Sequence, residues 1–176
     1  VLSHSYTMDV IPALLSAEEQ ERNVARCTAL LRDASGAAVQ GWLSPRGTSG
    51  PGFPELLARA GYKWHGDVFD DDLPYVQRFG DLRIVAIPLA TDVNDMPFMK
   101  YGNPPKLMLE SFEENLAIAR KNEGPHVIDV TVHAHIFGRP RGAYYFGEIV
   151  ARAMAASDVW VARRLDIAEF MLRHSS

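Results

Sequence analysis

The chain has a single cysteine among its 176 residues, Cys27, so no disulfide can form within it, and a reducing, cytoplasmic compartment is expected. It has no apolar run near the ~20 residues a spanning helix needs and no basic-then-apolar leader, so a soluble chain without a membrane partner is expected. Clustered basic residues are also missing: the net charge is −4, and the absence of a Lys and Arg patch argues against a nucleic acid partner. There is no internal repeat and no low-complexity tract. The chain begins with Val rather than Met, and VLSHS reads as the end of a strand without its beginning. A processed or partial product of something longer is therefore expected.

The remaining composition, 47% hydrophobic and 23% charged, suits one globular core, and residues 1–176 read as a single domain. Ser16 followed by Glu19 forms a capping box, and Val24, Cys27, Thr28 and Leu31 then recur at helical spacing until Gly36, which predicts a helix over 17–34. A short helix is predicted over PELLARAG, between Pro54 and Gly61. LRIVAIPLA reads as a strand covered on both faces, HVIDVTVHAHIF as another strand and VWVARR as a last one. Leu109, Phe112, Leu116 and Ala119 predict one further helix, and Phe146, Ile149, Val150 and Ala153 predict another. Asp166 and Glu169 are placed at the start of the final helix, which runs through Arg173. TDVNDMPFMKYGNPP reads as a loop. Strand and helix alternate throughout, which predicts parallel strands joined by crossover helices, as a barrel or an open sheet.

Residues able to carry chemistry gather near the predicted strand ends. Alternation along VIDVTVHAHIF sends Asp129, Thr131, His133 and His135 to one face and apolar residues to the other. An imidazole there can act as general acid or base, or be a plain core or loop histidine. In GWLSPRG, Arg46 fits either a solvated loop or a clamp on a carboxylate, and Trp42 fits either the core or a ligand contact. HGDVFDDDLPY concentrates Asp67, Asp70, Asp71 and Asp72, and TDVNDMP places Asn94 and Asp95 similarly after the next strand; either set suits a turn or a substrate contact. At the start of the chain, His4 and Met8 are one helical turn apart, the spacing of a metal site with an unusual second ligand.

The stretches SHSYTMD, GWLSPR, LLARAGYKWHGDVFDDDLPY, VNDMP, HAHIFGRPRG and VWVARRLDIA, in that order, resemble the polysaccharide deacetylase (NodB homology) family and, within it, the branch that includes metal-independent allantoinases. The resemblance implies an α/β fold, a distorted (β/α)7 barrel whose amino-terminal strands, with the family's early Asp pair, are absent from this chain. It implies hydrolysis of carbon–nitrogen bonds other than peptide bonds. By the resemblance, His133 is the general acid toward the leaving group and Arg46 the arginine that orients the early acid. His4, Trp42, Asp71, Asp72 and His135 are assigned to substrate contact. His4 also matches the first His of the family's HxxxH ligand motif, with Met8 where the second belongs. A thioether is a soft ligand poorly suited to zinc, so no metal cofactor is expected, and one divalent metal such as zinc, held in part by His4, is the alternative.

Two functions follow from these readings, the first with two variants. The first is an enzyme that removes an acetyl group or opens a small amide or imide with water. A metal-independent allantoinase-like ring hydrolase and a metal-dependent deacetylase of N-acetylated sugars are variants of it, and Trp42, Trp64, Tyr75 and Tyr101 suit either substrate. The other is a family member that only binds ligand. Partners are expected to be a small-molecule or N-acetylated sugar substrate, further copies of the chain in a homo-oligomer, and a separate amino-terminal segment completing the barrel.

Overall fold

In the computed structural model, which describes residues 1–175, six α-helices and six β-strands follow one another. They are α1 (Ala17–Ser35), β1 (Gly41–Trp42), α2 (Phe53–Arg59), β2 (Trp64–His65), β3 (Tyr75–Phe79), β4 (Leu82–Ala86), β5 (Val93–Asn94), α3 (Asp95–Lys100), α4 (Pro105–Lys121), β6 (Val130–Thr131), α5 (Pro140–Ala155) and α6 (Arg164–His174). The chain divides into two compact units, Val1–Leu89 with the stretch from Ala162 onward, and Ala90–Val161. Among the described residues, no helix is long and apolar enough to cross a membrane.

The first unit is built on a four-stranded sheet in the order β1-β2-β4-β3, with Ser3 bridged parallel to Trp42 beside it. β1, β2 and β4 are parallel. Gly41 permits this packing, because a Cβ there would lie 2.2 Å from the indole of Trp64. On one face Ile84 and Trp42 pack with Val24 and Cys27 of α1 and with Phe53 and Leu57 of α2. On the other, Trp64, Val85 and Ile87 pack on Ala168 of α6. LRIVAIPLA is thus covered on both faces, as its continuous apolar character predicts. α1 starts at the predicted box: the Ser16 hydroxyl accepts from Glu19 N, the Glu19 carboxylate accepts from Ser16 N, and Gly36 at φ 66° ends the helix.

In the second unit β5 and β6 pair in parallel, Val93 with Val130 and Asn94 with Thr131. Met108, Leu109 and Phe112 of α4, Ile149 of α5, Val93 and Phe137 form its core, against which Ile128, Val130 and Val132 pack. Those three are the apolar face that the alternation predicts.

Five local expectations give way. The strict strand-and-helix alternation breaks at β3 and β4, an antiparallel hairpin in which Phe79 pairs with Leu82 across Gly80 and Asp81. Gly80 has φ 59°, the positive value that the first central position of a two-residue hairpin loop demands. TDVNDMPFMKYGNPP is not all loop, because Asn94 caps α3 by accepting from Met96 N. HVIDVTVHAHIF yields only a two-residue strand, and VWVARR forms none among the described residues, since β-branched residues make a strand only where a partner backbone is at hand. At α6, Asp166 accepts from Arg163 N at 2.9 Å, while Glu169 pairs with Lys63 at 2.7 Å instead of capping.

Candidate functional site

In the first unit, the candidate residues follow the carboxyl ends of the parallel strands, where α/β folds place their sites. His4 comes directly after the Ser3 bridge, and its Nδ1 pairs with the Leu43 carbonyl at 2.5 Å. A neutral His4 donates from Nδ1 there and keeps its lone pair on Nε2. No helix follows, because Ser5 is left-handed at φ 65°. Buried Asn23 of α1 holds that bend, donating to Ser5 Oγ at 2.9 Å and accepting from Tyr6 N at 3.1 Å. Met8 is 66% exposed.

Arg46 lies in a type II turn: Gly47 N donates to Ser44 O at 2.9 Å, Pro45 takes the first central position and Arg46 the second, at φ 61° and ψ 16°. That second position normally takes glycine, and Cβ makes it cost an L-residue about 1–2 kcal/mol. Ser5 and Arg46 are the two non-glycine residues at positive φ among the described residues. One adjoins a candidate residue and the other is one, and strained backbone of this kind clusters at functional sites. Trp42 is not a substrate contact: it is fully buried between Phe53 and Tyr62, and its Nε1 donates to Ser44 Oγ at 2.8 Å.

The acidic loop divides by role. Asp71 is exposed and accepts from Asp72 N at 2.7 Å and Leu73 N at 3.0 Å, so it shapes its own turn, and Asp72 is exposed beside it. Tyr75 donates its hydroxyl to Asp70 at 2.9 and 3.0 Å; burial and then Asp70 push that phenol up to about 12, which keeps it a donor. Asp67 accepts from both the backbone N–H and the hydroxyl of Ser44, each at 2.6 Å, and burial pushes its carboxyl up against those bonds. His65 is fully buried with Nε2 donating to Gln77 Oε1 at 2.9 Å, while its Nδ1 has no partner. Burial pushes its pKa down, so it is held neutral. Trp64 is buried as well, and Tyr101 is 74% exposed.

In the second unit, His133 follows β6 and Asp95 follows β5, so the parallel pairing brings them together. Asp95 is 0% exposed and grips His133 twice, accepting from its backbone N at 2.7 Å and from its Nδ1 at 2.6 Å. This fixes the ring and the tautomer, and leaves Nε2 as the nitrogen that exchanges a proton. His135 does not share a strand face with His133. Residues 134–138 form a turn, in which exposed His135 sets its ring edge-on to His133 at 5.7 Å between centroids. Two glycines of HAHIFGRPRG allow that turn, since a Cβ on Gly138 would lie 2.0 Å from Ala134 O, and one on Gly142 would lie 2.6 Å from Phe137 Cα. Sequence reasoning named Asp95 but did not predict that it holds His133. Its signal was the Asn-Asp pair after a short apolar run, which a plain turn explains equally.

Among the described residues, no three His, Cys, Asp or Glu side chains form a group able to hold a metal ion. His4 presents one imidazole nitrogen, and Met8 offers only an exposed thioether. The residues present do not make a metal centre by themselves. They supply a buried carboxylate–imidazole pair and a guanidinium on a strained turn.

No family model matches the chain, and no curated protein does. Solved structures do match. A protein of Pseudomonas aeruginosa PAO1 named as a polysaccharide deacetylase superposes with a TM-score of 0.88 at 22% identity, over 99% of this chain and 60% of its own. Puue allantoinase gives 0.85 at 24% identity, over 99% of this chain and 59% of its own. A Mycobacterium smegmatis protein, also named as a polysaccharide deacetylase, gives 0.84 at 26% identity, over 97% and 62%. The chain has the polysaccharide deacetylase fold. It spans about three fifths of the length of these neighbours. The deacetylase fold is the one that the motifs from SHSYTMD to VWVARRLDIA imply, and it is shared with the allantoinase.

Proposed function

We propose that the chain forms part of a hydrolase of carbon–nitrogen bonds other than peptide bonds, acting with water on an N-acetyl group or a small amide or imide. The observation that carries the reading is the pair of His133 with buried Asp95. With Nδ1 tied to the carboxylate, Nε2 of His133 protonates the leaving nitrogen, a step that turns a poor leaving amide into an amine. In the first unit, Arg46 and His4 carry guanidinium and imidazole donors of the kind that stabilise a developing oxyanion. His135, Asp71 and Asp72 are exposed and able to meet substrate. The neighbours' names support this reaction class, since a deacetylase and an allantoinase both hydrolyse such bonds.

Ring opening of a small amide is the second reading, favoured by the exposed Met8 at the place where the sequence resemblance puts a second histidine ligand. The full-length protein, purified without added metal, decides between them. Acetate release from N-acetylglucosamine oligomers that is lost on chelation and restored by zinc supports the deacetylase. Allantoin hydrolysis that survives chelation supports the ring-opening enzyme. Binding of either compound without turnover would make the protein a ligand-binding relative and overturn the enzymatic reading.

A further inference from the structure

We propose that Asp67 is a positioning residue that holds Arg46 in its left-handed conformation by gripping Ser44, the first residue of the turn. The proposal rests on the reading of Arg46 as a substrate-facing group and adds to it the device that fixes its direction.

A chain of hydrogen bonds leads from the core to the turn. The Trp42 indole N–H donates to Ser44 Oγ at 2.8 Å, and Ser44 Oγ donates onward to Asp67 at 2.6 Å. With the indole N–H donating to its oxygen, the Ser44 hydroxyl spends its one proton on the carboxylate. The other carboxylate oxygen takes the Ser44 backbone N–H at 2.6 Å. Ser44 itself is fully buried. Both bonds are short and charge-assisted, the strong kind. Among the described residues Asp67 forms no ion pair with Arg46 itself, so its grip reaches the arginine only through the backbone. The far side of the turn is closed by Phe69, whose ring would lie 2.8 Å from a Cβ on Gly47.

This geometry explains an otherwise wasteful choice of residue. Glycine at position 46 would relieve the strain, while arginine there persists only where its surroundings over-determine the backbone. Asp67 is well placed to impose that condition, because a carboxylate with both oxygens committed to one residue fixes that residue's orientation as well as its position.

The test is a stability cycle that needs no substrate. In the full-length protein, Arg46→Gly is expected to lower the unfolding equilibrium constant by about fivefold, through relief of the left-handed residue. In an Asp67→Asn background the same substitution is expected to gain less than about twofold, because the released turn relaxes away from positive φ. An equal gain in both backgrounds would overturn the proposal, since the turn would then be held without Asp67. Should Asp67→Asn fail to fold, Ser44→Ala removes only the hydroxyl bond and runs the same cycle; an undiminished gain there also overturns it. Once a substrate is turned over, Asp67→Asn and Arg46→Ala should each lower kcat, and the double variant should be no slower than Arg46→Ala alone. Losses that multiply would make Asp67 an independent group and reject the positioning role. If neither probe substrate is turned over, the enzymatic reading fails while the stability cycle still judges the grip of Asp67.

Discussion

His133 and Arg46 are both held by a carboxylate, fully buried for the first and half-buried for the second, and by opposite handles. Asp95 grips the imidazole itself along with its backbone, whereas Asp67 grips only the residue two before Arg46. The difference matches what each side chain must supply. An imidazole has two nitrogens, and its use depends on which one carries the proton, so a carboxylate on Nδ1 decides its chemistry. A guanidinium is always charged and has no tautomer to choose. It needs a direction, and a fixed turn provides one without consuming its donors.

Four substitutions and one titration break or sharpen this comparison. The largest effect belongs to His133→Ala, expected to lower kcat by ~10² or more with the fold retained, as read by steady-state kinetics and circular dichroism. Near-normal turnover would remove His133 from the chemistry. Asp95→Asn is expected to slow turnover by ~10² as well and to cost about 1.5–3 kcal/mol of stability, since one charge-assisted acceptor is lost. A stability loss with unchanged kcat would mean that Asp95 anchors the turn and does not set the ring. Gly142→Ala pushes a methyl against Phe137 and should cost about 1–3 kcal/mol in a denaturant titration. That places the cost on the scaffold of the histidine turn without touching His133.

The smallest effect is electrostatic. His65 has its folded pKa pushed below the ordinary 6.5, chiefly by burial, so folding favours its neutral form. Its contribution to stability is full above 6.5 and is lost as pH falls through the lowered value. Asp67 runs the other way: burial raises its pKa above 3.8, so its protonation adds stability as pH falls through the raised value. His65→Gln should therefore flatten the loss of stability measured between neutral and mildly acid pH. An unchanged slope would assign that loss to other groups.

Much of this was legible in the sequence, and the failures share a cause. The capping box of α1, the apolar faces of α4 and the double-sided cover of β4 are local patterns that tertiary structure did not need to revise. His133 was singled out by the resemblance, since the residues alone left a plain core or loop histidine open. The grip of Asp95 on it was not, because burial alone distinguishes a residue that holds an imidazole from one that shapes a turn, and burial depends on β5 and β6 meeting across 36 residues. Trp42 failed for the same reason: nothing in GWLSPRG says that Phe53 and Tyr62 close over the ring. VWVARR has strand composition, yet a ladder is a property of two segments, and composition describes only one.

The β3–β4 hairpin carries a further consequence, for the order in which the sheet is made. Two residues join its strands, so it can close within about 1–10 μs, whereas the parallel pairings of β1 with β2 and of β2 with β4 must wait for longer loops to fold back. Its exposed side then waits longer still. Val85 and Ile87 are finally covered by α6, whose first residue, Arg164, leaves the ribosome on the order of ten seconds after β4 at ordinary elongation rates. During synthesis the nascent sheet thus shows a bare apolar flank, and a chaperone that recognises this protein should bind there before the last helix arrives.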